Sequence, residues 1–284
     1  MKIAHISDIH WRGLARHEEY TNAFELLFKK LKDIKPDVIV NTGDIFHTKT
    51  QSISPEVVER MSWMFSKLNG IARNIVILGN HDGNLTNLSR KDIISTIIDE
   101  YNGNLHNDST EEPIAYSRNS ISFDFGKANP WSKDENVKFH CFSPFDKDGW
   151  KNRIPDPDMI NIALFHGSVS GCVMDNGMVW PHGEIDVSDM NIFDFVLLGD
   201  IHQQQFMDYR LDKNGVRKPY MGYPGSLIQQ NFGETVKHHG YGVFDMVTKK
   251  YDFFDLPNNQ PYMHFTISDI NDIQDEKEEL VNAG

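Results

Sequence analysis

Short apolar runs recur along the chain, and most of them close on a cluster of polar, chemistry-bearing residues. The runs at 2–6, 38–40, 75–78, 162–165 and 195–198 read as buried strands. Between them, apolar residues return at helical spacing. Phe24, Leu27, Phe28 and Leu31 predict a helix over about 18–34 that ends before Pro36. Ser54 as N-cap and Pro55 at the first helical position open a second, with Val58, Met61, Phe65 and Leu68 on one face and Gly70 as its stop. A third is expected from near Ser89 and carries Ile93, Ile94, Ile97 and Ile98. Later alternating stretches at 114–116, 121–125, 137–142, 205–209, 241–246 and 251–254 predict further strands. This alternation is that of an α/β sandwich with its loops gathered at one edge of the sheets.

The polar clusters that terminate these apolar runs are the informative part. They are Asp8-Ile9-His10, Gly43-Asp44, Gly79-Asn80-His81-Asp82, His166-Gly167 and Gly199-Asp200-Ile201-His202. Asp-x-His and Gly-Asp are each common by chance. The whole set, always just past a strand, is not. Two divalent ions held close together need several oxygen and imidazole ligands each, one of them shared, and no single loop can supply them all. Ligands delivered from several strand ends can.

In this order the motifs resemble those of the calcineurin-like metallophosphoesterase superfamily, over residues 1 to about 254. Gly43-Asp44-Ile45-Phe46, the spacing of Leu198-Gly199-Asp200-Ile201-His202 and the later Tyr223-Pro224-Gly225-Ser226-Leu227-Ile228 resemble its DNA-repair nuclease branch. That branch includes the SbcD nuclease subunit, its meiotic-recombination counterpart and phage relatives. The resemblance implies a four-layer α/β/β/α sandwich. It also implies that Asp8, His10 and His202 hold one metal, that Asn80, His166 and Asp200 hold the other, and that Asp44 bridges both. His81 would face the substrate phosphate, with Asp82 orienting its other ring nitrogen. Most of the superfamily has His where this chain has Asp200. A third carboxylate beside Asp8 and Asp44 cancels more cationic charge and favours a hard, oxygen-loving ion, so Mn²⁺ is expected, with Mg²⁺ as the alternative.

The implied activity is 3′-to-5′ exonuclease action on duplex DNA with single-strand endonuclease activity. The implied partners are DNA, a second copy of the chain and an SMC-like coiled-coil ATPase. A phosphoesterase acting on a small phosphodiester or phosphomonoester keeps the same metals. A catalytically silent scaffold would keep only the fold.

Composition sets limits on this reading. The 284 residues, 39% of them hydrophobic, suffice for one large domain, expected at 1–267. Residues 268–284 form an acidic tail, read as the start of a capping domain or linker. No apolar stretch approaches the ~18 residues of a membrane span, and a first strand at Lys2 leaves no room for a signal peptide, so the cytoplasm is the expected compartment. Cys141 and Cys172 are too few for a disulfide framework. The balance of 28 basic against 41 acidic residues gives −13, the wrong sign for gripping DNA with the general surface. Bound cations, a local basic cluster or a partner must offset it. Arg12, Arg16, His17 and Lys49 come soon after the first two motifs and supply such a cluster, and His47 is a further candidate phosphate contact. Two segments carry open alternatives. The stretch 167–190, with Met178, Val179 and Trp180, either overhangs the site or packs as an ordinary Ω-loop. The stretch 222–234 either braces the metal loops or touches nucleic acid through Gln229, Gln230 and Asn231.

Overall fold

Two six-stranded sheets carry nearly every motif on the carboxyl ends of their strands. The structure, a computed structural model, describes residues 1–13, 15–47, 54–105, 112–125 and 136–263. In the first sheet β1 (Lys2–Ile6), β2 (Val38–Asn41), β3 (Arg73–Val76) and β4 (Ala115–Tyr116) run parallel, with β13 (Gly240–Asp245) and β14 (Lys250–Asp255) added antiparallel beyond β1. The second sheet has the order β11-β12-β10-β7-β6-β5. Its strands are β5 (Ile121–Phe125), β6 (Val137–Phe142), β7 (Ile160–His166), β10 (Phe195–Gly199), β11 (Gln205–Leu211) and β12 (Arg217–Tyr223). β6, β7, β10 and β12 run parallel to one another; β5 and β11 are antiparallel edges.

Strands buried on both faces must be apolar throughout, which is why the central ones read as unbroken runs. One core lies between the sheets, with Ile3, Val38, Val40, Ile75 and Phe244 facing Phe139, Leu164, Val196 and Met221. A second lies under α1 (His17–Ile34), α2 (Pro55–Asn69) and α3 (Ile93–Gly103), whose Phe24, Leu27, Met61, Phe65, Ile94 and Ile98 pack on Ala4, Ile39 and Val76. On the outer side of the second sheet the helical layer is thin: α4 (Val187–Met190) and a 3₁₀ turn at Lys147–Asn152. The four-layer α/β/β/α sandwich is therefore present, with unequal outer layers.

Boundaries moved where local capping outweighs periodicity. α3 begins at Ile93 and not near Ser89, because the Asp92 carboxylate accepts the Ser95 N–H at 2.7 Å and caps the helix there. β3 occupies Arg73–Val76, two residues before the apolar run suggests. Ile77 and Leu78 are buried but belong to the loop that enters the site. β12 begins in polar residues and buries only its end, so it carries no strand-like pattern at its start. Within 167–190 a small hairpin forms from β8 (Cys172–Val173) and β9 (Val179–Trp180). Residues 268–284 and Lys49 lie outside the described residues. Among the described residues no helix is long and apolar enough to cross a membrane.

Candidate metal centre

The register of the first sheet sets Ile6, Asn41 and Val76 level, so the three chains leave the sheet side by side. The resulting crowding dictates unusual backbone. Asp8, His10, Asp44 and Asp200 all have positive φ, at 50°, 52°, 52° and 96°. Asp and His tolerate this left-handed region better than most residues. Gly43, at φ 99°, and Gly79 are required by close approach: a Cβ on Gly79 would collide with the Asp44 side chain and come within 2.6 Å of the His166 ring. Backbone bonds tie the loops together, Asp8 N to Gly43 O at 3.0 Å and His10 N to Asp44 O at 2.9 Å.

The expected ligands converge in two groups. Asp8, His10 and His202 form the first, in which His10 Nε2 and His202 Nε2 stand 2.9 Å apart and each lies 3.9 Å from Asp8 Oδ1. His166, Asp200 and Asn80 form the second: His166 Nε2 is 3.7 Å from Asp200 Oδ1, which also accepts from Asn80 Nδ2 at 2.8 Å. Asp44 stands between them. Its Oδ2 is 3.6 Å from His10 Nε2 and its Oδ1 3.3 Å from His166 Nε2, so each oxygen addresses a different group.

The 3.3 Å between Asp44 Oδ1 and His166 Nε2 fits a shared metal ion, and the spacings of 3.6, 3.7 and 3.9 Å would contract by a few tenths of an ångström around one. Ligand atoms bonded at ~2.1 Å to one cation lie roughly 3.0–3.5 Å from their neighbours. His166 Nε2 is also a buried nitrogen without a hydrogen-bond partner. Its Nδ1 donates to the Thr42 carbonyl at 2.7 Å, which leaves the Nε2 lone pair facing Asp44. Asn80 offers its Oδ1 after a half-turn of the amide, whose orientation is set by the surrounding hydrogen bonds. His10 is the exception in orientation, since its buried Nδ1 has no partner.

The same groups also compete for protons. Burial pushes Asp8 up to about 7 against the pull of His166 and His202. Burial and then the neighbouring Asp44 push Asp82 up to about 7. Burial also acts to raise Asp44, but His166, His10 and His81 around it hold it below the ordinary carboxylate range. Burial opposes protonation of His202, yet its bond to Glu234 and the nearby Asp8 lift it to about 9. His166 is raised well above its ordinary value despite burial, chiefly by Asp44. Burial holds His10 well below its ordinary value.

His81 stands on the open side of the ligands, with its side chain 34% exposed and Nε2 4.0 Å from Asp44 Oδ2. Its Nδ1 bonds the His47 carbonyl at 2.6 Å. This corrects the expected role of Asp82. That carboxylate instead accepts the Ile45, Phe46 and Gly79 N–H groups at 2.8, 2.9 and 2.8 Å and clamps the two loops together. Arg16 is likewise drawn away from the mouth. Its guanidinium is bidentate on Glu19, also donates to Gln229 O and lies over the Tyr262 ring. Arg12, two residues past His10, donates to the Gln230 carbonyl, and the His47 ring lies 5.7 Å from that of His10. Gln229 and Gln230 are buried and bonded to backbone groups, the bracing alternative for 222–234; Asn231 donates to Glu234.

Glu234 was not anticipated. Its buried carboxylate accepts from His202 Nδ1 at 2.8 Å, Gln230 N at 2.7 Å and Asn231 Nδ2 at 2.7 Å, and so fixes which nitrogen His202 offers to the first group. Asp175, on the β8–β9 hairpin, comes within 3.7 Å of the same Nδ1. The only sequence signal was density of polar residues in 222–234, which has no local relation to His202.

A family model described as calcineurin-like phosphoesterase matches residues 1–215. The chain belongs to that family. Uncharacterized protein R555 of Acanthamoeba polyphaga mimivirus is 34% identical over 280 residues, 94% of this chain and 19% of the relative, so the chain spans about a fifth of that relative's length. Among solved structures, TT1561 of Thermus thermophilus is 9% identical with a TM-score of 0.48, covering 90% of this chain and 98% of its own. A dimetal phosphatase from Danio rerio is 10% identical with a TM-score of 0.43, covering 86% and 91%.

Raised carboxyl and imidazolium groups stabilise the metal-free fold at low pH and lose that contribution as pH rises, Asp8 and Asp82 between about 4 and 7 and His202 between about 6.5 and 9. Asp44 acts in the opposite sense, but only in acid. Metal binding at these candidate ligands would displace the protons on Asp8, His166 and His202, so affinity would rise up to tenfold per pH unit for each proton released. Differential scanning measurements at pH 6 and pH 8 are expected to show the gap in Tm between metal-loaded and chelated protein widening by about 2–4 °C or more at the higher pH.

Glu234→Ala leaves His202 free to rotate and to present either nitrogen. Titration calorimetry on chelated protein is expected to show one of two divalent-metal sites weakened about 10- to 100-fold and the other changed much less.

Proposed function

We propose that this phosphoesterase is a Mn²⁺-preferring DNA nuclease that hydrolyses phosphodiester bonds. The observation that carries the reading is the placement of His81. A departing deoxyribose oxygen is a poor leaving group and needs a proton in the transition state. The His47 carbonyl accepts from His81 Nδ1 and orients the ring, so that its Nε2 stands at the open side of Asp44, where an imidazole can deliver such a proton. Two divalent ions, if held by Asp8, His10 and His202 and by Asn80, His166 and Asp200 with Asp44 between them, would supply charge neutralisation at the phosphate and activation of a water.

The nuclease assignment also draws support from the motif spacing around Gly43-Asp44-Ile45-Phe46, Asp200-Ile201-His202 and Tyr223-Pro224-Gly225-Ser226, which resembles the DNA-repair branch. Asp200 supports Mn²⁺: its carboxylate faces His166 and Asn80, where an imidazole would present a softer, neutral donor. A second copy of the chain and an SMC-like ATPase are the proposed partners, and such a partner would carry a −13 protein to DNA. The acidic surface favours one other reading, a phosphoesterase of small phosphodiesters or monoesters.

End-labelled linear duplex and single-stranded circles, incubated with the purified protein and Mn²⁺, Mg²⁺ or chelator, separate the two. Expected is cutting that requires Mn²⁺ and falls about 10²- to 10⁴-fold in His81→Ala. Hydrolysis of a chromogenic phosphodiester with intact DNA would move the assignment to small substrates.

Asp200→His is expected to shift relative activity from Mn²⁺ toward Zn²⁺ by about tenfold or more, measured with each metal added to chelated protein. Unchanged rate and preference would remove the electrostatic account of Asp200.

A further inference from the structure

The pairing of β1 and β2 does not end at the sheet. A parallel bridge joins Trp11 to Phe46, and His47 N donates to Trp11 O at 3.1 Å, beyond the loops that carry the ligands. Arg12 and His47 therefore leave this bridge side by side, each one residue past it. Arg12 lies two residues beyond His10, at most about 7 Å of chain. It is close enough to His47 that its charge, after burial, is the next cause depressing that imidazole.

The two arginines that follow the first motif differ in what they are already bonded to. Arg16 has Glu19 and is neutralised. Among the described residues no carboxylate lies within salt-bridge distance of Arg12, whose only side-chain bond is from Nη2 to Gln230 O at 2.7 Å. Arg12 Nε is buried and has no partner, and the same holds for His47 Nδ1. A guanidinium left without a counter-ion in a chain of net charge −13, at the edge of a phosphoesterase centre, has the chemistry of an anion subsite.

We propose that Arg12, assisted by His47, binds a second phosphate, the one adjoining the phosphate that is cleaved. The substrate class is then a phosphoester carrying at least two phosphates on neighbouring positions, which a nucleic acid strand offers and a lone small phosphodiester does not. This deepens the nuclease reading and rests on it for the identity of the strand, but the subsite itself needs only phosphoesterase activity. A mouth built for a single phosphate would gain nothing from Arg12.

Hydrolysis of bis(p-nitrophenyl) phosphate by the metal-loaded protein, inhibited by deoxythymidine 3′,5′-bisphosphate or by either deoxythymidine monophosphate, tests the subsite directly. The wild type is expected to bind the bisphosphate about 10- to 100-fold more tightly than the better monophosphate. Arg12→Gln is expected to bring that ratio to about 1–3, and Arg12→Lys, which keeps the charge without the fork, to retain part of it. Melting temperature and metal content establish that each variant is folded and loaded. A wild-type ratio near one overturns the proposal whatever the variants do. So does an unchanged ratio in Arg12→Gln, or equal weakening of all inhibitors, which would make Arg12 only a brace for the Gln230 loop. Retained discrimination with no DNA cutting would leave the subsite standing and sink the nuclease reading alone.

Discussion

Carboxylates buried together repel, and the centre of this molecule is arranged around that repulsion. Asp8, Asp44 and Asp82 are almost without solvent, and Asp200 sits at their rim with a side chain 24% exposed. Hydrogen bonds relieve each one locally: Asp8 accepts from Asp200 N, Asp44 from His81 N and Asp82 from three backbone N–H groups. Such bonds stabilise a charge without cancelling it. The remaining cancellation has to come from cations or protons placed among the carboxylates. The surrounding imidazoles His10, His166 and His202 can hold either, and this suits the cluster to chelation as well as to buried ion pairing.

Holding these groups in place costs backbone strain, of the order of 1–2 kcal/mol for a non-glycine residue in the left-handed region. Asp8, His10, Asp44 and Asp200 all carry it. The strain persists because the level parallel register of β1, β2 and β3, and of β7 with β10, leaves the loops no other path. The same sheets position the imidazoles from behind. Tyr251 and Thr42 bind the two nitrogens of the fully buried His5, and the Thr42 carbonyl in turn fixes the tautomer of His166. Burial holds His5 down to about 3, so this link stays neutral while the site titrates.

The same geometry explains how much of the molecule was legible in the sequence. A ligand that must sit at a strand end comes directly after an apolar run. Asp8, Asp44, Asn80, His166 and Asp200 therefore announced themselves by position, and so did the parallel strands beneath them. Anything fixed by contact between distant segments failed to show. Glu234 reaches His202 across 32 residues, with no periodicity to connect them. Thr42 acts through its carbonyl, which has no side-chain signature. Asp82 adjoins His81 in the chain, yet its carboxylate turns to the backbone of Ile45 and Phe46, because closing the loops leaves those N–H groups buried and in need of an acceptor. Arg16 read as a free cation until the fold brought Glu19, in the first turn of α1, against it.

The acidic balance of the chain constrains the chemistry less than its size suggests. Charges on the general surface are screened beyond a Debye length of about 8–10 Å, whereas groups inside the mouth are screened far less. On the proposed subsite, a phosphate entering the site would be governed by His81, His47 and Arg12 and by whatever cations the carboxylates hold. The distant acidic residues mainly weaken long-range capture. Under the proposed nuclease reading, recognition is short-ranged: correct placement of one or two phosphates would supply the selectivity, and delivery of a polyanion would fall to something other than this surface. An excess of acid outside and an unneutralised guanidinium inside are then parts of one arrangement, in which affinity is concentrated where the bond is broken.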